Sequence, residues 1–248
     1  MNESIIILMK KIKIWHIAAA FFAVCVILNL YGCITGNTAL ANTVKPALMP
    51  LLCLATMSRL AIKSCIASRE AKLLACAQLF GFGGDTALIG SEAFPLFAAG
   101  IGLFLIGHIF YITLFGGKSW KGLKPWHWVL AIVLALAAVA GLVTVIGIKG
   151  ALMAPMAVYG FTLMMLIFST LAGALRFGGK WWILLCGAVL FTFSDSLIAI
   201  HTFSDPDVFF GRFGVMSTYL LAQTLLAIGS IKLIEKNNQT TLLWYTTH

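Results

Sequence analysis

Residues 191–203 read FTFSDSLIAIHTF, a run apolar enough to lie inside a membrane, and yet this run contains Asp195. The stretch LFGFGGDTALIG, residues 79–90, repeats the arrangement with Asp85. The whole chain has 61% hydrophobic and 10% charged residues, whereas a soluble domain has about 25% charged residues. Apolar runs of about 20 residues, enough to cross a bilayer, recur with short polar breaks between them. The sequence therefore predicts an all-α, polytopic membrane protein.

The apolar runs predict eight transmembrane helices in a single transmembrane domain, residues 1–248. Pro46 and Pro50 are expected in or near the first turn of the second helix, where proline is tolerated. The third span reads LFGFGGDTALI and the seventh reads LFTFSDSLIAI, and this internal similarity favours two parallel four-helix halves. The predicted spans cover residues 14–32, 43–62, 72–90, 94–115, 127–147, 151–174, 181–201 and 213–234.

The distribution of charge predicts the orientation of the chain. The odd-numbered segments outside the spans carry most of the lysines and arginines, whereas the even-numbered ones carry few and include Glu92, Asp205 and Asp207. By the positive-inside rule both termini are predicted to be cytoplasmic. If the source is a bacterium, the protein is expected in the cell membrane. The net charge of +9 is spread over short loops, which argues against a nucleic-acid partner. An interfacial belt is expected on the cytoplasmic side, formed by Trp15, Trp120, Trp126, Trp128, Trp181, Trp182 and Trp244.

Ionisable residues inside the predicted spans are few, and each costs about 2.5–3.5 kcal/mol to insert. They are Lys45, Asp85, His108 and Asp195, and such residues face protein or water in place of lipid. One interpretation is structural: Lys45 pairs with either aspartate, and the polar groups hydrogen-bond between helices. The interpretation we favour is a polar cavity that opens toward the outer leaflet. The neutral polar side chains predicted to share it are Tyr111, Tyr159, Ser194, Tyr219 and Gln223.

Several short motifs occur in a characteristic order from about Asn42 to Ile231. They are Lys45-Pro46-x-x-Met49-Pro50, Gly84-Asp85, His108-x-x-Tyr111, Phe193-Ser194-Asp195-Ser196-Leu197 and Thr218-Tyr219-x-x-Ala222-Gln223. Together they resemble the YhhN family of eight-span membrane proteins, which includes the lysoplasmalogenases. The resemblance implies hydrolysis of the vinyl ether bond of a lysoplasmalogen to a fatty aldehyde and glycerophosphoethanolamine or glycerophosphocholine. It also implies that Asp85 and Asp195 are the functional aspartates.

The chemistry of a vinyl ether suits a pair of carboxyl groups. Protonation of its β-carbon gives an oxocarbenium ion, which water attacks, as in glycoside hydrolysis with one carboxyl as acid and one as base. Either aspartate could be the acid, and neither a metal nor another cofactor is expected. The expected partners are a lysophospholipid substrate and the surrounding membrane lipids. The residues predicted to bind the substrate are Lys45, His108, Tyr111, Tyr159, Ser194, Tyr219 and Gln223.

Two other functions are compatible with buried carboxylates. A proton-coupled transporter would have the helices that carry them broken near the midplane, for example at Gly81, Gly83 and Gly84. A non-catalytic lipid-binding protein would keep every activity when an aspartate is neutralised.

Overall fold

The computed structural model is all-α and describes residues 3–90, 93–147, 150, 153–204 and 207–247. Short 3-10 turns lie at Leu88–Gly90 and Val208–Phe210. Glu92, Asp205 and the first two residues of the predicted sixth span, 151–152, lie outside the described residues. The helices of the described residues are α1 (Glu3–Ile34), α2 (Thr38–Ile62), α3 (Arg69–Ala87), α4 (Phe94–Ser119), α5 (Pro125–Ile146), α6 (Met153–Phe177), α7 (Lys180–Phe203) and α8 (Gly211–Thr247).

Each of these eight helices corresponds to one predicted span. Within the described residues, six are long and apolar enough to cross a membrane, namely α1, α2, α4, α6, α7 and α8. Helix α3 begins with the charged residues Arg69, Glu70 and Lys72, and the described side chains of α5 form the apolar segment Pro125–Gly141. The protein is therefore an integral, multi-pass membrane protein, and the crossing of α3 and α5 stays a prediction.

Helix α2 begins earlier than the sequence predicts. The Asn37 side chain accepts a hydrogen bond from the Leu40 backbone N–H at 3.0 Å, and this cap starts the helix at Thr38. Pro46 and Pro50 consequently lie inside the helix, and their predicted place in its first turn is wrong. Each proline removes one helical hydrogen bond, a loss that membrane helices tolerate where neighbouring groups bond the freed carbonyl.

The chain forms two compact units, and the first contains Met1–Phe110 with Leu226–His248. Its first two helices pack closely where they meet at a loop. Buried Asn29 on α1 donates from its amide to the Ala41 carbonyl on α2 at 2.9 Å. At Gly32 a Cβ atom would lie 2.9 Å from the Ala41 nitrogen, so only glycine allows this approach of the two backbones.

Helices α3 and α4 also pack through small residues within the first unit. At Gly84 a Cβ atom would lie 2.8 Å from the Phe104 ring, and at Gly107 it would lie 3.2 Å from the Ala77 carbonyl oxygen. Gly84 on α3 and Gly107 on α4 therefore let the two helices pack closely against each other. This packing fixes the backbone beside Asp85, the next residue after Gly84.

The second unit, Tyr111–Leu225, contains the end of α4, helices α5 to α7 and the start of α8. Trp181 on α7 lies over Gly173 of α6, whose missing Cβ provides the space for the indole ring. Trp181 is 1% exposed, so its predicted place in an interfacial belt is wrong. The ring is retained inside the unit because it also contacts Phe115 edge-to-face, with ring centroids 6.3 Å apart. By contrast, Trp126 and Trp182 are 56% and 47% exposed.

Candidate active site

In the first unit Asp85 is held by a lysine from the preceding helix. Lys45 Nζ on α2 lies 3.7 Å from Asp85 Oδ1 on α3, and the side chains are 9% and 3% exposed. A buried charge without a counter-charge costs several kcal/mol, so each of these two groups stabilises the ionised form of the other. The sequence allowed either aspartate as the partner of Lys45. In the structure the partner is Asp85.

His108 is the other predicted site residue of the first unit. It lies in α4 and is 1% exposed, so the histidine is buried inside the unit as its apolar surroundings in the sequence predict. Gly107, the residue before it, is where α4 approaches the Ala77 carbonyl of α3. The close approach of these two helices thus holds His108 in the interior.

In the second unit Asp195 is held by a tyrosine, again from the preceding helix. The Tyr159 hydroxyl on α6 donates a hydrogen bond to Asp195 Oδ2 on α7 at 2.5 Å. Tyr159 is 4% exposed and Asp195 is 5% exposed. A phenol is a neutral donor, so the hydrogen bond orients the carboxyl group and adds no positive charge beside it.

Helix α8 contacts α7 at two residues that precede Asp195 in the chain. The Ser194 hydroxyl donates to the Val215 carbonyl at 3.0 Å, and this bond joins α7 to α8. One turn before Asp195, Phe191 meets Tyr219 edge-to-face, with ring centroids 5.5 Å apart. Ser194 therefore positions the helix that carries Asp195, and Tyr219 is near the same stretch of α7.

Tyr111 and Gln223 form a third buried contact in the second unit. The Tyr111 hydroxyl on α4 donates to Gln223 Oε1 on α8 at 2.9 Å. Both residues are 1% exposed, and Gln223 is one helical turn from Tyr219. The hydrogen bond satisfies a phenol and an amide oxygen that would be costly to bury alone.

A cavity of about 200 Å³ lies between α5, α6 and α7 beside the Tyr159–Asp195 pair. The Thr192 and Ser196 hydroxyls donate along their own helix, to the Ala188 and Thr192 carbonyls at 3.0 and 2.8 Å, so the cavity wall is largely apolar. Gly160 and Ser196 in its lining are the chain neighbours of Tyr159 and Asp195, whose own side chains are not part of the lining. The lining includes Val139, Gly160, Leu163, Met164, Thr192 and Ser196.

The structure gathers the predicted site residues into two sets, one in each unit. The first unit holds Lys45, Asp85 and His108, and the second holds Tyr111, Tyr159, Ser194, Asp195, Tyr219 and Gln223. Sequence reasoning missed Phe191 and Gly160, because an aromatic and a glycine in an apolar run carry no polar signal. The spacing of Phe191, one helical turn before Asp195, was the only indication of a shared face.

Comparison with known proteins gives one family. The YhhN family model matches residues 40–230. The chain is 33% identical over 152 residues to lysoplasmalogenase TMEM86B of Mus musculus, which covers 60% of this chain and 59% of that protein. It is 32% identical over 149 residues to lysoplasmalogenase TMEM86B of Homo sapiens, with the same two shares, 60% and 59%. The match thus spans less than two thirds of the length of these curated relatives. No solved structure matches the chain.

Proposed function

The chain belongs to the YhhN family, and on this premise we propose that it is a lysoplasmalogenase-like hydrolase. The proposed reaction consumes water and a lysoplasmalogen and releases a fatty aldehyde with glycerophosphoethanolamine or glycerophosphocholine. The observation that carries the proposal is the presence of two carboxyl groups buried within the protein, each held by a fixed partner. The names of the similar mammalian proteins support the substrate class.

The proposed chemistry needs one proton donor and one proton acceptor. The acid transfers its proton to the β-carbon of the vinyl ether, and the α-carbon becomes an oxocarbenium ion. The base removes a proton from water as the water oxygen bonds to that α-carbon, giving a hemiacetal. Collapse of the hemiacetal breaks the bond to the glycerol oxygen. The glycerol oxygen takes up one proton, the hemiacetal hydroxyl loses one, and the two carboxyl groups return to their starting states.

We assign the base to Asp85 within this proposal. The Lys45 ammonium, 3.7 Å away, stabilises a negative charge on the Asp85 carboxylate. A carboxylate that stays ionised can accept a proton from water.

We assign the acid to Asp195. Its Oδ2 accepts the hydrogen bond from Tyr159, so the proton to be transferred is carried on Oδ1. The phenol can orient the carboxyl group in either protonation state, because both a carbonyl oxygen and a carboxylate oxygen accept a hydrogen bond. A buried carboxyl group that remains protonated at neutral pH is the type of acid this reaction needs.

We propose that the cavity beside the Tyr159–Asp195 pair binds the alkenyl chain of the substrate. Its apolar wall, which includes Gly160 and Leu163, suits the first carbons of a hydrocarbon chain next to the vinyl ether. The Tyr219 hydroxyl, on the helix that contacts Phe191, is our candidate donor to the headgroup phosphate.

We further propose that all eight helices cross the membrane with both termini in the cytoplasm. The charged first turn of α3 lowers the hydropathy of that helix, whereas α5 reads PWHWVLAIVLALAAVAGLVTVI and is apolar along its length. Helix α3 has partners in its own unit for its polar side chains, since Gln78 donates to Thr56 Oγ1 at 3.3 Å and Asp85 pairs with Lys45. A helix whose polar groups are paired inside the protein can span lipid with fewer apolar residues.

Aldehyde release by purified protein in lipid vesicles tests the function directly. We expect 1-alkenyl-glycerophosphoethanolamine to yield fatty aldehyde, and Asp85→Asn and Asp195→Asn each to lower the rate by about 10²–10⁴-fold, the usual contribution of general acid–base catalysis. The matched control is Asp207→Asn, which neutralises an exposed carboxylate outside the helices. Full turnover by both variants would overturn the roles of the two aspartates, and wild-type protein inert toward vinyl ethers would overturn the function.

A transporter is the less favoured function. Helices α3 and α7, which carry the two aspartates, are unbroken from Arg69 to Ala87 and from Lys180 to Phe203. The transporter interpretation expected a break in α3 at the glycines at 81, 83 and 84. The helix continues through all three.

A further inference from the structure

We propose that a groove between α5 and α6 binds an anionic phospholipid of the surrounding membrane. The lipid is distinct from the proposed substrate and would serve as a bound structural component. The proposal rests on three observations in the second unit: an apolar groove of suitable size, an arginine fixed at its end, and an excess of cationic residues nearby.

The groove has a volume of about 360 Å³, within the range of about 300–1,000 Å³ found for small-molecule sites. Its walls come from the first half of α5 and the last turns of α6, and several of its apolar side chains are largely exposed, such as Leu134 at 59% and Leu175 at 70%. A fatty acyl chain can lie along such a surface. The residues that carry the argument are Trp126, Leu130, Leu134, Leu171, Leu175 and Arg176.

Arg176 is held in a defined position at the polar end of the groove. Its Nη1 donates to the Ser119 carbonyl oxygen at 2.8 Å, and its guanidinium carbon lies 5.3 Å from the centre of the Phe177 ring. A guanidinium group has five N–H donors in a rigid fork, so this arginine has donors for a phosphate in addition to the one used on Ser119. Arginine–phosphate pairs are frequently bidentate, which favours a lipid phosphate at this position.

The charge at this end of the second unit is strongly positive. Lys118, Lys121 and Lys124 lie at the end of α4 and in the loop before α5, and Lys180 begins α7. The sequence from 93 to 194 contains neither aspartate nor glutamate. Clusters of Lys and Arg at a membrane surface attract anionic lipids by about 1 kcal/mol per residue. The cluster thus selects a lipid with a net negative headgroup over a zwitterionic one.

Cations at the ends of helices are expected from topology alone, and the groove distinguishes this site from that general effect. Arg176 lines the same groove as Trp126, which is 56% exposed and stacks on His127 with ring centroids 3.7 Å apart. A tryptophan at this position is suited to the boundary between headgroup and acyl chain. Cation, aromatic ring and apolar wall therefore follow each other along the groove in the order of a phospholipid.

The groove is separate from the candidate active site. Arg176 and Tyr159 lie on the same helix and are about 25 Å apart along its axis, at 1.5 Å per residue. The proposal therefore does not rest on the proposed function, and lipid binding is measured without any enzymatic assay.

The test is native mass spectrometry of the full chain after exchange into equal amounts of phosphatidylglycerol and phosphatidylcholine. We expect wild-type protein to retain phosphatidylglycerol preferentially, and Arg176→Gln to weaken this retention about five- to tenfold, because one charge-assisted contact is lost. Leu134→Trp, which fills the groove from an exposed position, should weaken retention similarly. The matched controls are Lys63→Gln, an exposed lysine on the loop after α2, and Leu136→Trp, an exposed leucine of α5 outside the groove.

Equal retention of both lipids by wild-type protein would overturn the proposal, because binding would then depend on the acyl chain alone. The same conclusion follows if Lys63→Gln lowers retention as much as Arg176→Gln, since general surface charge would explain it. If Leu134→Trp retains the lipid fully, the groove is not the site. Should Arg176→Gln misfold, Arg176→Lys preserves the charge and is expected to retain the lipid at an intermediate level, and Leu134→Trp still tests the groove.

Discussion

The two buried aspartates have similar positions in their units and different partners. Asp85 in the first unit and Asp195 in the second are each held by a side chain from the helix that precedes their own. The partner of Asp85 is the Lys45 ammonium at 3.7 Å. The partner of Asp195 is the Tyr159 hydroxyl at 2.5 Å.

This difference in partners gives the two carboxyl groups different electrostatic surroundings. An ammonium adds a full charge, so the ionised form of its carboxylate is strongly favoured. A phenol adds a directed hydrogen bond and no charge, so it fixes an orientation while the carboxyl group can still carry a proton. The weak similarity between the third and seventh spans pointed to comparable places for the two aspartates. Our proposed division into acid and base rests on these partners.

Loss of Lys45 should have the largest effect on stability. Lys45→Met leaves the Asp85 charge buried without this counter-charge, and we expect the unfolding free energy to fall by about 3–5 kcal/mol. Denaturant unfolding in detergent measures it, with Lys63→Met as the control for the same substitution at an exposed lysine. The double variant Lys45→Met/Asp85→Asn should recover part of the loss. If it is no more stable than Lys45→Met, the ion pair does not account for the destabilisation.

Loss of the Tyr159 hydroxyl should have a smaller effect. Tyr159→Phe removes a neutral donor to a buried carboxyl group, and we expect a loss of about 1–3 kcal/mol in unfolding free energy. In the aldehyde assay the rate constant kcat should fall while KM changes little, since in the proposed mechanism the phenol orients the acid. Tyr31→Phe, at a tyrosine that is 59% exposed, is the control. An increase in KM at constant kcat would instead place Tyr159 in substrate binding.

Filling the cavity beside Asp195 should change substrate selection. At Gly160 a Cβ atom would lie 3.0 Å from Val139 Cγ2, so Gly160→Leu directs its side chain into the space between α5 and α6. We expect KM for a long alkenyl chain to rise about tenfold, equivalent to about 1.4 kcal/mol of lost binding. Gly141→Leu adds the same volume where a Cβ meets nothing within 4 Å and serves as the control. An unchanged KM would exclude the cavity as the chain site.

The smallest effect is expected at Tyr219. Tyr219→Phe keeps the edge-to-face contact with Phe191, so stability should hold, and KM should rise about threefold through the loss of one hydrogen bond. The comparison substrate is a 1-alkenylglycerol, which lacks the phosphate. Wild-type and variant protein should cleave this substrate equally. A defect that persists without phosphate would remove Tyr219 from headgroup binding.

Much of the helical arrangement could be predicted from the sequence, because long apolar runs have few alternatives to a helix in a membrane. The positions of the capping and packing residues could not. Asn37 starts α2 before the apolar run that predicted it, so Pro46 and Pro50 appeared to mark the start of the helix. Tryptophan is a residue type common at membrane interfaces, so the sequence predicted Trp181 there. Its fit over Gly173 is what places it in the interior.

The polar residues of the candidate site could be predicted from the sequence. Lys45, Asp85, Tyr159 and Asp195 are polar residues in apolar runs, and insertion into lipid is costly for such groups unless they have partners. Their pairing was not predictable, since residue depth alone allowed Lys45 to meet either aspartate. The apolar wall near Gly160 gave no signal at all, because a cavity depends on the angles between helices.

The order of the partners along the chain has a consequence for synthesis. Lys45 on α2 is made before Asp85 on α3, and Tyr159 on α6 before Asp195 on α7. When each acidic helix leaves the ribosome, the side chain that pairs with its carboxylate has therefore already been synthesised. Synthesis from the N-terminus can thus deliver each carboxylate to a partner that is already present in the chain.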